Sequence, residues 1–133
     1  MSNKYLVTGG AGYVGSVVAA HLVEAGHTVT VLDDLSTGHR AGVPAGTEFI
    51  EGRVQDAARH LDASFDAVLH FAAFSQVGES VTDPRSTGAT TSAAPWTCWP
   101  RCATRGAHLV FSSTAATYGE PERTPITESA PTA

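Results

Sequence analysis

Apolar residues follow two alternating rhythms along the first half of the chain. "YLVT" (Tyr5–Thr8) is a short apolar run that stops at glycines, the pattern of a strand buried in a parallel sheet. From Gly12 the period lengthens. Val14, Val17, Val18, Leu22 and Val23 fall on one helical face, and Gly26 stands where a left-handed residue ends such a helix. The spacing predicts a helix over Tyr13–Ala25. "TVTVLDD" (Thr28–Asp34) is β-branched and closes on two acids, which predicts a second strand with a polar, exposed C-terminal edge.

The alternation continues with a third strand expected at Glu48–Gly52 and a short helix at Asp56–Leu61. A fourth strand is expected at Ala67–Ala73 and a fifth at His108–Ser113. Parallel strands need crossover connections, so helices should cover both faces of the sheet. The expected fold is α/β, a Rossmann-type doubly wound parallel sheet, incomplete in this chain. At 133 residues there is room for one core, and no repeat or linker divides the sequence.

Composition narrows the partners. A net charge of -5 supplies no basic stripe, so neither nucleic acid nor an acidic membrane surface is expected, and a small molecule is. No apolar run reaches the length of a signal peptide or a bilayer span, which predicts a cytoplasmic chain. Cys98 and Cys102, without a neighbouring His, fit neither a zinc spacing nor a disulfide framework, and no metal site is expected.

Candidate chemistry sits in "TGGAGYVGS", with glycines at positions 9, 12 and 15. In a strand-to-helix turn one glycine turns tightly, one admits a pyrophosphate to the backbone, and one lets helix and strand pack closely. The helix-start amides then face phosphate oxygens. Asp33 follows Gly15 by 18 residues, at the end of the next strand. A carboxylate there accepts hydrogen bonds from an adenosine ribose and repels a 2′-phosphate, which favours NAD over NADP.

The Gly-x-x-Gly-x-x-Gly spacing resembles the extended branch of the short-chain dehydrogenase/reductases. "LDDLSTG" (Leu32–Gly38), "HFAAFSQVGESV" (His70–Val81) and "VFSSTAATYGEPERTPITESAPT" (Val110–Thr132) together resemble the bacterial UDP-glucose 4-epimerases. The resemblance implies NAD as cofactor, a UDP-sugar as substrate, and a homodimer at full length. It implies interconversion of UDP-glucose and UDP-galactose through a 4-keto sugar. Gly9, Gly12, Tyr13, Val14 and Gly15 would then lie along the pyrophosphate. Asp33 would hold the adenosine ribose with Asp34, Ser36, Thr37 and Gly38 nearby, and Phe71, Ala72 and Ala73 would line the cleft. Thr114 would be the catalytic hydroxyl on the reacting sugar oxygen. The resemblance gives His70 no role, and a His in an apolar strand is expected to be a packed residue.

Three departures stand out. The family's base is a Tyr in a Tyr-x-x-x-Lys helix, and no such pair occurs here, so the chain by itself is expected to be inactive. Where the family has Gly-Asp to receive the adenine amino group, this chain has Gly52-Arg53, and an arginine accepts no hydrogen bond. Finally, Pro84–Gly106 contains no Leu, Ile, Val, Met, Phe or acid, yet holds both tryptophans and both cysteines, and nothing in it is expected to pack. Moving the reading frame back one base turns Trp96, Cys98, Trp99 and Cys102 into apolar residues at helical spacings. With freely chosen codons elsewhere it yields "EKYWRNNVGGTMDLLAAMRDAG", similar to the epimerases' segment. The expected explanation is a frameshift corrected before His108, leaving an NAD-binding piece without its substrate domain. A lineage-specific surface loop is the alternative for the segment. For the whole chain the alternatives are a related sugar-nucleotide dehydratase or reductase, or a noncatalytic NAD-binding or decayed gene product.

Overall fold

Five short strands pair into one wholly parallel sheet in the computed structural model, which describes residues 1–73, 100, 102–104, 106–120 and 123–132. The elements are β1 (Lys4–Thr8), α1 (Tyr13–Glu24), β2 (Thr28–Asp33), β3 (Glu48–Glu51), α2 (Ala57–His60), β4 (Ala67–His70) and β5 (His108–Phe111). The spatial order is β3-β2-β1-β4-β5, the doubly wound order with its switch point between β1 and β4.

Alternation along the strands sends Leu6, Leu32 and Val68 to one face and Val7, Val29 and Val31 to the other. Ala57, Leu61, Phe65 and Cys102 close the first face, while Ala19 of α1, with Leu22 and Val23, closes the second. Gly26 ends α1 with φ 84°, as its position predicts.

Several expectations are corrected. The predicted stripe of α1 holds only in part: Leu22 and Val23 pack on the core beside buried Gly15 and Ala19, whereas Val14 and Val17 are 52% and 45% exposed. The helix start presses so closely on the turn after β1 that only small side chains fit beneath it. β4 stops at His70, not Ala73, because β1 ends at Thr8 and leaves residues 71–73 without a ladder partner on that side. β5 ends at Phe111, opposite His70, for the same reason. The short helix is a 3-10 turn over Val54–Asp56 running into α2. Pro100 and Cys102–Thr104 are helical; of these Cys102 alone is buried, 2% exposed in the cluster with Leu6, so that one residue of the segment does pack. The rest of Pro84–Gly106 and the "VGESV" stretch lie outside the described residues.

Candidate functional site

All thirteen residues expected to bind the cofactor line one cleft of about 300 Å³ at the C-terminal ends of the strands. Gly9, Gly12, Tyr13, Val14 and Gly15 come from the turn between β1 and α1. Asp33, Asp34, Ser36, Thr37 and Gly38 follow β2, and Phe71, Ala72 and Ala73 follow β4. The cleft thus opens at the switch point of the sheet, where such folds place ligands.

The glycines divide the labour. Gly9 turns off the strand at φ 73°, and a Cβ there would lie 2.5 Å from the Ala72 backbone nitrogen. At Gly15 a Cβ would lie 2.2 Å from the Gly9 carbonyl oxygen, so the start of α1 tolerates no side chain. Gly12 is the N-cap, where a Cβ would meet only the Gly9 oxygen at 3.3 Å, and the surface above it is open. No side chain caps α1 and no acid lies in its first turn. By helix geometry the amides of Tyr13, Val14 and Gly15 have no intrahelical acceptor. They form an anion-binding end with the positive side of the helix dipole behind it.

Asp33 is 9% exposed and held from two sides. Its Oδ2 accepts from the Ala11 amide at 3.0 Å and its Oδ1 from the Leu35 amide at 2.8 Å. Each carboxylate oxygen has further lone-pair capacity to offer the cleft. Leu35 takes the left-handed conformation at φ 58° in making this turn. Asp34 Oδ1 accepts from the Ser36 amide at 3.0 Å and hydroxyl at 2.6 Å, and the His39 amide donates to the Ala11 carbonyl at 3.1 Å. The loop after β2 is therefore pinned to the glycine turn through Ala11.

Leu32, Gly52 and Val54 also line the cleft and were not anticipated as site residues. Gly52 and Val54 extend it beyond Asp33 to the end of β3. The rule that ligands sit at the C-terminal ends of strands could have found them. Arg53, between them, is not a lining residue. Its side chain is exposed, and its carbonyl accepts from the Asp56 amide at 2.9 Å. Thr114 lies outside the cleft, exposed three residues beyond β5, and its carbonyl accepts from the Thr117 amide and hydroxyl. His70 is packed, as expected. Burial lowers its pKa to about 4, against a smaller opposing influence of the Ala72 backbone.

Among the described residues no cluster of His, Cys, Asp or Glu could hold a metal, and no helix is long and apolar enough to cross a membrane.

A doubly wound sheet with a glycine turn, an uncapped helix start and a fixed acid at the end of β2 is the arrangement found in dinucleotide-binding α/β folds. The NAD dependent epimerase/dehydratase family model matches residues 5–133, and the chain belongs to that family. It is a homologue of UDP-glucose 4-epimerases. It is 61% identical to the one from Streptomyces lividans, over 99% of this chain and 42% of the relative. With the Corynebacterium glutamicum enzyme it shares 52% over 97% of this chain and 40% of the relative. Among solved structures it resembles UDP-glucose 4-epimerase from Brucella ovis in complex with NAD, at TM-score 0.87 and 38% identity, over 99% of this chain and 42% of that one. The Thermotoga maritima enzyme with UDP-glucose gives TM-score 0.83 and 32% identity, over 90% and 41%. The chain thus spans about two fifths of the length of these relatives.

Proposed function

We propose that the cleft binds NAD and that the chain is the cofactor-binding part of a UDP-glucose 4-epimerase. The observation that supports this reading most is the convergence of the glycine turn, Asp33 and Phe71–Ala73 on a single cleft at the switch point. The amides of Tyr13, Val14 and Gly15 receive the pyrophosphate. Asp33, held by Ala11 and Leu35, accepts from the adenosine ribose hydroxyls and repels a 2′-phosphate. Phe71–Ala73 line the nicotinamide half of the site. When bound, NAD would supply a hydride acceptor for the sugar C4. Thr114 hydrogen-bonds the reacting sugar oxygen.

The substrate of the whole protein on this reading is a UDP-sugar, the assembly a homodimer and the compartment the cytoplasm. The chain holds no Tyr-x-x-x-Lys pair, so by itself it binds NAD without turnover. A related sugar-nucleotide dehydratase or reductase would share the glycine turn and Asp33. The "VGESV" stretch and the identity to epimerases favour the epimerase.

The test is a calorimetric titration with NAD and NADP, beside an assay of UDP-galactose conversion. Saturable NAD binding without conversion supports the reading, and conversion by the chain alone would overturn the inactivity claim. For Pro84–Gly106 we retain the frameshift reading. Cys102, the one residue of the four apolar substitutions among the described residues, occupies a core position that an apolar residue would fill. Sequencing the codons from Pro84 to His108 decides it: bases whose shifted frame encodes the apolar helix support it, and bases whose shifted frame encodes no such helix sink it.

A further inference from the structure

Thr8, His70 and Phe111 stand in one register row across β1, β4 and β5, at the strand ends that open on the cleft. Thr8 Oγ1 and His70 Nδ1 are 2.7 Å apart, and His70 is 2% exposed. The imidazole stacks on the Phe111 ring with centroids 5.6 Å apart and planes at 15°. Its Nε2 is buried without a hydrogen-bond partner among the described residues. An unmatched buried nitrogen is unfavourable, so packing alone gives no reason for an imidazole here.

The backbone repeats the link the side chains make. The Phe71 amide donates to the Thr8 carbonyl at 2.9 Å, and the Ser112 amide to the His70 carbonyl at 3.1 Å. One residue beyond Thr8 and two beyond His70, Gly9 meets Ala72 with no room for a Cβ between them. Two walls of the cleft, the glycine turn and Phe71–Ala73, therefore meet immediately beyond the Thr8–His70 pair.

We propose that His70 is a positioning residue. Through the Thr8 hydroxyl it sets the separation between the glycine turn and Phe71–Ala73, and so the fit of the dinucleotide half that Phe71–Ala73 contact. The inference rests on the NAD reading above. The ring is neutral at pH 7, because burial holds its pKa near 4, and a neutral Nδ1 shares one proton with the Thr8 hydroxyl.

The experiment titrates NAD and ADP into the full chain as wild type, Thr8→Val, His70→Leu, His70→Asn and the Thr8→Val/His70→Leu double variant. ADP covers the Asp33 and glycine-turn part of the cleft but has no nicotinamide half. Thr8→Val keeps the shape and removes the hydroxyl, and His70→Asn keeps a polar group near the Nδ1 position. Thr8→Val and His70→Leu are each expected to weaken NAD about tenfold, the double variant no more than either, because both delete one shared hydrogen bond. ADP affinity should stay within roughly twofold, and His70→Asn within roughly threefold of wild type for NAD. Equal losses for NAD and ADP would show a merely structural His70 and overturn the inference, as would a Thr8→Val chain that binds NAD like wild type. That second variant decides the matter even if His70→Leu does not fold. A wild-type chain that binds ADP and NAD equally tightly also overturns it, whereas one that binds neither overturns the NAD reading itself.

Discussion

Replacing Gly15 by alanine adds one methyl group at the tightest point of the site. The new Cβ would lie 2.2 Å from the Gly9 carbonyl oxygen and 2.9 Å from the Gly10 Cα, both backbone atoms that cannot rotate away. Ordinary contact begins at 3.4 Å, so the start of α1 must retreat by about 1 Å. The amides of Tyr13, Val14 and Gly15 retreat with it. A phosphate contact of about 2.9 Å then stretches to about 3.9 Å, beyond hydrogen-bond range. Losing one or two bonds to a charged group costs about 3 kcal/mol, or about a hundredfold in Kd for NAD. Overpacking also destabilises the fold, by about 1–3 kcal/mol. Gly26→Ala is the control. It sits at the far end of the same helix at φ 84° with nothing within 4 Å, so it costs about 1 kcal/mol of backbone strain and leaves NAD affinity unchanged. Calorimetric titration of both variants, with urea unfolding alongside, separates affinity from stability. A Gly15→Ala chain that binds NAD within about threefold of wild type would refute the geometric argument.

Other outcomes follow from the same structure. Asp33→Ala removes the acceptor of two backbone amides and the ribose contact, and should weaken NAD at least about tenfold while narrowing the preference over NADP. Arg53→Asp places an acceptor between Gly52 and Val54, and should tighten NAD by about threefold to tenfold in the same titration. His70 has a folded pKa of about 4 against an ordinary 6.5. The unfolded chain therefore takes up a proton first as pH falls through 6.5, and stability present above that value is lost progressively down to about pH 4. Urea unfolding should show wild type losing up to about 3 kcal/mol more than His70→Asn over that window, and equal losses would count against the buried neutral ring. Cys102 is buried and burial raises its thiol pKa, so iodoacetamide should modify it only after unfolding, as read by peptide mass mapping.

The parts of the fold legible in the sequence are those fixed by local backbone demands. A glycine turn after an apolar run, and an acid at the end of the next strand, both constrain the main chain within a few residues. The thirteen positions expected to bind the cofactor accordingly meet in one cleft. The face of α1 was legible only in part: Leu22 and Val23 of the predicted stripe do pack, but periodicity weighs large apolar side chains and gave no place to Gly15 and Ala19, the buried residues of the seam. Val14 and Val17 share a helical stripe but face away from the sheet. Strand ends were overextended for a related reason. The apolar run after His70 continues through Ala73, but a strand lasts only while a neighbour pairs with it, and β1 turns away at Gly9. Gly52 and Val54 escaped notice because their place in the cleft depends on sheet order. The role argued for His70 depends on register across three strands, which no single stretch of sequence displays.

The central claim is that this cleft is an NAD site with Asp33 as its selector. Isothermal titration of NAD and of NADP into the wild-type chain at pH 7 tests it most directly. The account predicts one NAD per chain and NADP weaker by about tenfold or more. The absence of saturable NAD binding, or NADP bound as tightly as NAD, would contradict it.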